Sequence, residues 1–80
     1  MITQFAMDWD IVNSKVVVYC KVGHQLACRC KTVEQLTAAI QNLGVVDDIR
    51  DVTPVWRDMY RDDLAAIFDK MIDDALGAAQ

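Results

Sequence analysis

Residues 15–31 read KVVVYCKVGHQLACRCK, and this stretch decides the predicted fold. β-Branched and aromatic side chains crowd its first half, and apolar residues alternate with polar ones in its second half, as in two half-buried strands. Gly23 lies between the halves and can adopt the positive φ that a tight turn requires. The stretch therefore predicts an antiparallel hairpin of strands 15–21 and 25–31, joined by a three-residue loop at 22–24.

A three-residue loop sets the register of this hairpin. It produces three apolar cross-strand pairs: Cys20 with Leu26, Val18 with Cys28, and Val16 with Cys30. Because side chains alternate between the two faces of a strand, this register leaves one face of the hairpin wholly apolar. The reverse face then carries a mixture of polar and apolar residues suited to water or to a partner. Cys20 and Cys28 become diagonal neighbours about 7 to 8 Å apart, too far for a disulfide.

A further strand is predicted before the hairpin. Residues 3–9 alternate cleanly, and Phe5, Met7 and Trp9 fall on one face. Trp9 is the last apolar position of this strand and is expected to close the core of the sheet. The three strands are short and consecutive, which favours an antiparallel meander.

The first helix is marked at both ends. Thr32 is the expected N-cap, with Gln35 at the position from which a side chain reaches back to the preceding backbone. Gly44 is the expected left-handed residue that ends the helix. Residues 45–52 then form an acidic connector, for which the sequence leaves either a short strand or a turn open.

The second predicted helix starts at Thr53 and Pro54, because threonine caps helices and proline is tolerated at the first helical position. It runs to about Leu76 without a helix-breaking residue. At about 100° per residue, one broad sector of this helix is apolar and is expected to be core. That sector consists of Trp56, Tyr60, Leu64, Ile67, Phe68, Met71, Ile72 and Ala75.

These elements predict an α+β fold: a three-stranded antiparallel meander followed by two helices (βββαα) packed on one sheet face. With 80 residues, 54% of them hydrophobic, the chain is too short for two cores and too apolar for disorder. Residues 1–80 are therefore expected to form a single compact domain. A domain of this size buries only about 60% of its unfolded surface, so a partner chain or a bound metal would add needed stability.

Composition also excludes several classes of protein. No apolar run approaches the ~20 residues that cross a bilayer, so no membrane association is expected. The first residues lack a basic leader and an apolar signal core, which predicts a cytoplasmic protein with reduced thiols. A formal net charge of −4 opposes direct binding to nucleic acid, because such binding needs clustered lysine and arginine.

Four residues could in principle ligate zinc: Cys20, His24, Cys28 and Cys30. Structural zinc sites commonly use paired cysteine knuckles, and the spacing here contains none. The cysteines instead fall along one apolar strand face, where cysteine commonly packs as a buried free thiol. No cofactor is therefore expected, and a small zinc-stabilised domain is kept as an alternative.

The residues also offer little for catalysis, so no enzymatic activity and no catalytic residue are expected. His24 is the single histidine, and a dyad of Cys20 and His24 is disfavoured because Cys20 is expected to be buried and unreactive. The three glycines stand apart and form no phosphate-binding loop.

The most informative charge pattern lies on the second helix. Asp58, Asp62, Asp69 and Asp73 project within about 60° of one another, away from the apolar sector. We call these four residues the acidic stripe. The stripe is interpreted either as a solvated face or as a docking surface for a basic partner. Met59 beside it and Tyr19 on the reverse face of the sheet are added as partner-binding candidates.

In size, charge and plan, the chain resembles the small acidic inhibitors that bacteriophages encode, such as anti-CRISPR proteins. The residues that carry the resemblance are Arg29-Cys30-Lys31-Thr32-Val33-Glu34-Gln35-Leu36, a strand running directly into a capped helix. The resemblance implies a protein that binds and blocks a host assembly in the host cytoplasm. A homodimeric structural or adaptor module, paired through apolar surface on the second helix, is the alternative.

Overall fold

The computed structural model describes residues 1–51 and 62–80. In chain order, the described elements are β1 (Gln4–Asp10), β2 (Lys15–Val22), β3 (Gln25–Cys30), α1 (Val33–Leu43), β4 (Arg50–Asp51) and α2 (Asp62–Ala78). The protein is α+β, as predicted. The predicted start of the second helix at Thr53 and Pro54 lies outside the described residues. In the described part of the chain, no helix has the length and apolar character needed to span a membrane.

The four strands form one sheet in the order β3-β2-β1-β4. β1 pairs with β2, and β2 with β3, in antiparallel orientation, which confirms the three-stranded meander. The fourth strand resolves the alternative left open for the connector, because β4 pairs parallel to β1 through Phe5 with Arg50 and Ala6 with Asp51. The chain therefore returns along β1 after α1, and this return places Arg50 at an edge of the sheet.

The predicted register of the β2–β3 hairpin is wrong. The strands are joined by a two-residue turn at 23–24, so that Lys21 rather than Cys20 faces Leu26. Gly23 has a φ of 63°, which suits such a turn. A residue just before β1 stabilises this turn, because the Gly23 N–H donates a 2.9 Å hydrogen bond to Thr3 Oγ1.

A bulge between Cys20 and Lys21 then changes the pairing along the rest of the hairpin. It leaves Ala27 as an extra residue on β3, so that Cys20 faces Cys28 and Val18 faces Cys30. The bulge returns Cys28 and Cys30 to the apolar face on which they were expected. Leu26 is excluded from that face and is 56% exposed.

The core joins the apolar face of the sheet to both helices. Its buried members from the strands include Phe5, Met7, Val16, Val18, Cys20 and Cys30, and those from the helices include Leu36, Ala39, Ile40, Leu64, Phe68, Ile72 and Ala75. Trp9 packs half-buried against this cluster, as predicted. Ile67 departs from the prediction, because it is 47% exposed and lies outside the core.

Helix α1 begins and ends as predicted. Thr32 Oγ1 accepts a 3.1 Å hydrogen bond from the Gln35 N–H. The Gln35 side chain reaches back one residue beyond the cap and accepts a 2.7 Å bond from the Lys31 N–H. Gly44, with a φ of 73°, donates its N–H to the carbonyl of Ile40 at 2.8 Å. Because only two residues separate β3 from α1, the helix lies beside this edge strand.

Candidate protein-binding surface

The acidic stripe is only partly within the described residues. Asp62 is exposed in the first described turn of α2, and Asp69 and Asp73 follow on the same helix with side chains 50% and 65% exposed. Asp58 and its neighbour Met59 lie outside the described residues. The structure therefore places three of the four predicted stripe residues on one helix, with their carboxylates accessible to solvent.

Arg50 contacts two residues of the stripe. Its Nη2 donates a 2.5 Å hydrogen bond to Asp73 Oδ1, and its Nη1 lies 3.4 Å from both Asp69 Oδ1 and the Asp69 carbonyl. The same guanidinium binds Asp48 through two hydrogen bonds, Nε to Oδ1 at 3.0 Å and Nη2 to Oδ2 at 2.8 Å. We call Asp48, Arg50, Asp69 and Asp73 the arginine clamp.

The arginine clamp remains acidic. Three carboxylates surround one guanidinium, so the group carries a formal charge of −2. The hydrogen bonds that Arg50 donates to Asp48 and Asp73 raise its pKa above the already high ordinary value, so this residue stays positively charged. Arg50 itself is only 23% exposed, whereas its carboxylate partners face solvent more openly. The clamp therefore fixes the positions of these carboxylates without neutralising their surface.

Sequence reasoning missed Arg50. Its only local signal is that it is the sole basic residue among the aspartates of the connector, Asp47, Asp48 and Asp51. Its partners on α2 lie 19 and 23 positions further along the chain. Such a distant pairing depends on β4 joining the sheet, which the sequence left open.

A second charged pair on α2 is local. Lys70 Nζ lies 2.8 Å from Asp74 Oδ2 one helical turn later, and hydrogen bonding to Asp74 raises the pKa of the Lys70 ammonium. Both residues are exposed, so their ion pair adds little to stability. This pair offsets one further negative charge of the helix.

Tyr19 does not join the acidic stripe. It lies on the sheet face opposite to the one that contacts α2, and it is half-buried. Its hydroxyl donates a 2.6 Å hydrogen bond to Asp8 Oδ2, and the Arg29 guanidinium carbon lies 5.7 Å from the centre of its ring. Arg29 also approaches Asp8 at 3.7 Å. Tyr19 is thus held within a charged group on the reverse face.

The centre of that reverse face is less open than expected. Val17 is fully buried and Ala6 is 2% exposed, although both alternate with residues of the core face. This face is more open toward β3, where Arg29 and Leu26 are exposed.

The four candidate zinc ligands are divided between two places. Cys20, Cys28 and Cys30 lie on the core face of the hairpin as free thiols. His24 is exposed in the turn, whereas Cys20 is fully buried, so the two members of the considered Cys20–His24 dyad occupy different environments. Within residues 1–51 and 62–80, no three histidine, cysteine or acidic side chains are arranged to hold a metal ion.

The thiols interact with one another. Hydrogen bonding with Cys30, together with burial, raises the pKa of Cys20. The same hydrogen bond lowers the pKa of Cys30, because it stabilises the Cys30 thiolate. Cys20 was expected to be buried and unreactive; it is fully buried, and its raised pKa opposes formation of the thiolate.

An open cleft of about 400 Å³ lies between β3 and α1. Its lining combines thiols, small side chains and polar groups: Cys28, Arg29, Cys30, Gln35, Ala38, Ala39 and Asn42.

Comparison with known proteins gives no match to a protein-family model, to a curated protein or to a solved structure.

Proposed function

We propose that this protein is a non-catalytic binding module that docks the acidic stripe of α2 onto a basic surface of another protein. The single observation that carries the proposal is the arginine clamp, in which Arg50 holds Asp69 and Asp73 in place while both carboxylates stay at least half exposed. A surface whose side chains are already ordered loses less conformational entropy on binding.

Charge placement favours a basic partner. Nine of the twelve acidic residues follow residue 45, and the clamp adds a local charge of −2 to the exposed Asp62. Such segregation accelerates association with a surface of opposite sign and opposes association with an acidic one. A basic groove that binds nucleic acid is a suitable partner surface, and occupying it would block the groove. The proposed function therefore includes inhibition of the partner.

Zero-length cross-linking tests this proposal. A carbodiimide joins carboxylates directly to nearby lysine amines, so the coupled residues identify the contact surface. We expect cross-links to partner lysines at Asp62, Asp69 and Asp73. Glu34, an exposed acid in the first turn of α1, is the internal control and should remain uncoupled. Coupling that is equal at Glu34 and at the stripe would contradict the proposal.

A homodimer is the second candidate, because α2 exposes one large apolar residue. Ile67 is 47% exposed on the helix that carries the stripe. If two copies pair through this helix, sedimentation equilibrium should give twice the chain mass, and Ile67→Lys should return the protein to a monomer. A monomer at high concentration would exclude this candidate and leave the docking proposal unaffected.

A further inference from the structure

Two cysteines of the hairpin face each other directly. Cys20 on β2 is the cross-strand partner of Cys28 on β3, and both side chains lie on the core face. Directly opposed residues in an antiparallel pair have Cα atoms about 4.5 or 5.5 Å apart, and both values lie within the ~4.4 to 6.8 Å range of disulfides. The bulge between Cys20 and Lys21 creates this opposition, because without it the two residues would be offset.

The third cysteine is not placed to bridge. Cys30 faces Val18 and is therefore diagonal to Cys20, at a Cα separation of about 7 to 8 Å that exceeds the usual disulfide range. Cys30 therefore does not compete with Cys28 for the bond to Cys20.

The cleft between β3 and α1 gives these thiols access to small molecules. Cys28 is half-buried and lines the cleft, whereas Cys20 is fully buried behind it. Arg29, Gln35 and Asn42 lie around the same cleft and offer donors for the carboxylates and amides of a small peptide. An attacking reagent therefore meets Cys28 first.

We propose that this cleft is a thiol-exchange site, where a small disulfide of the glutathione type oxidises Cys28 and Cys20 to a cross-strand disulfide. In the first step the Cys28 thiol loses its proton to water, and its sulfur attacks glutathione disulfide. A bond forms between Cys28 and one glutathione sulfur, and the other glutathione leaves as a thiolate.

The second step closes the protein disulfide. The Cys20 sulfur attacks the Cys28 sulfur, and the Cys20 proton passes to the second glutathione, which leaves as a thiol. Two protein thiols are thereby oxidised, and one glutathione disulfide is reduced to two thiols. Because Cys20 is held opposite Cys28, this step is intramolecular and outcompetes attack by a second molecule.

The experiment exposes the folded, reduced protein to glutathione disulfide and follows it by intact mass and free-thiol titration. We expect the protein to lose the mass of two hydrogens, to keep one free thiol of three, and to yield a Cys20–Cys28 peptide on mapping. The Cys20→Ala variant should instead retain one glutathionyl group on Cys28. The Cys30→Ser variant should form the same Cys20–Cys28 bridge, because Cys30 faces Val18 and takes no part in the bond.

Three results would overturn the proposal. One is retention of all three thiols under conditions that oxidise the denatured chain. Another is a bridge that includes Cys30, and the last is a wild-type adduct on Cys28 that never resolves. If Cys20→Ala fails to fold, Cys28→Ala provides the test, because it should show neither adduct nor bridge while Cys20 and Cys30 remain.

Discussion

Arg50 in β4 donates a 2.5 Å hydrogen bond to Asp73 in α2, across 23 positions of sequence. This bond connects the edge of the sheet to the outer side of a helix whose inner side packs in the core. The same guanidinium holds Asp48 and Asp69, so one side chain organises three carboxylates. The arginine clamp thus stabilises the fold and arranges the proposed docking surface at once.

Removing the guanidinium should destabilise the protein measurably. We expect Arg50→Gln to lower the free energy of unfolding by about 1 to 2 kcal/mol, because hydrogen bonds to charged groups are lost and three carboxylates are left close together. Urea denaturation followed by circular dichroism measures this change. The matched control is Lys70→Gln, which breaks an exposed pair on α2 and should lower the free energy of unfolding much less. Equal losses of unfolding free energy in the two variants would show that the contacts of Arg50 stabilise the protein no more than an ordinary surface ion pair does.

The N-cap of α1 should contribute more to the stability of the protein than a threonine hydroxyl inside the helix. Thr32→Ala removes the acceptor of the Gln35 N–H and should cost about 1 kcal/mol of unfolding free energy. Thr37→Ala is the control, because the Thr37 hydroxyl only donates to the Val33 carbonyl within the helix. Its effect should stay within about 0.5 kcal/mol. If thermal unfolding shows the larger loss for Thr37→Ala, the assigned cap is wrong.

Two glycines should respond in opposite directions to the same substitution. Gly23→Ala places a side chain on a residue with a φ of 63° and should destabilise the protein by about 1 kcal/mol. Gly77 lies in α2 with an ordinary φ and has no neighbour near an added Cβ. Gly77→Ala should therefore stabilise the protein by about 0.5 kcal/mol. Denaturation midpoints compare them directly. A shift of the same sign in both would contradict the conformational argument.

The β1–β2 turn should give a pH-dependent contribution to stability. Asn13 donates to Asp10 through its side chain at 2.9 Å and its backbone N–H at 3.2 Å, and these bonds lower the pKa of Asp10 below its ordinary 3.8. A carboxylate whose pKa is depressed on folding adds stability above its unfolded pKa, and this is lost as the pH falls through the folded pKa. Wild type should therefore exceed Asn13→Ala in stability at neutral pH, and the difference should shrink below pH 3.8. A difference that is constant from neutral pH to pH 2 would contradict this account.

Local signals explain which parts of the fold the sequence predicts. Thr32 and Gly44 act on backbone groups within four residues, so the ends of α1 are correct without knowledge of the rest of the chain. The alternation of the strands is equally local, and it places Phe5 and Met7 correctly in the core. Structure set by neighbouring residues is thus accessible from sequence.

The predictions that are wrong or incomplete concern features that depend on residues far apart in the sequence. The Gly23 N–H in the turn of the hairpin donates a hydrogen bond to Thr3, 20 positions away, and the bulge at Ala27 depends on the resulting pairing. The direct opposition of Cys20 and Cys28 follows from that bulge and could not be predicted without it. Likewise, the candidate docking surface was found from the spacing of aspartates on one helix, but its organising residue, Arg50, belongs to another element.

The most direct test of the docking proposal compares two charge reversals against the partner identified by cross-linking. Asp62→Lys and Glu34→Lys change the net charge equally, and both positions are exposed in the first described turn of a helix. Titration calorimetry should show affinity about tenfold weaker for Asp62→Lys, as expected for the loss of about 1.4 kcal/mol, and within about twofold of wild type for Glu34→Lys. Equal affinities for the two variants would contradict the assignment of the acidic stripe as the docking surface.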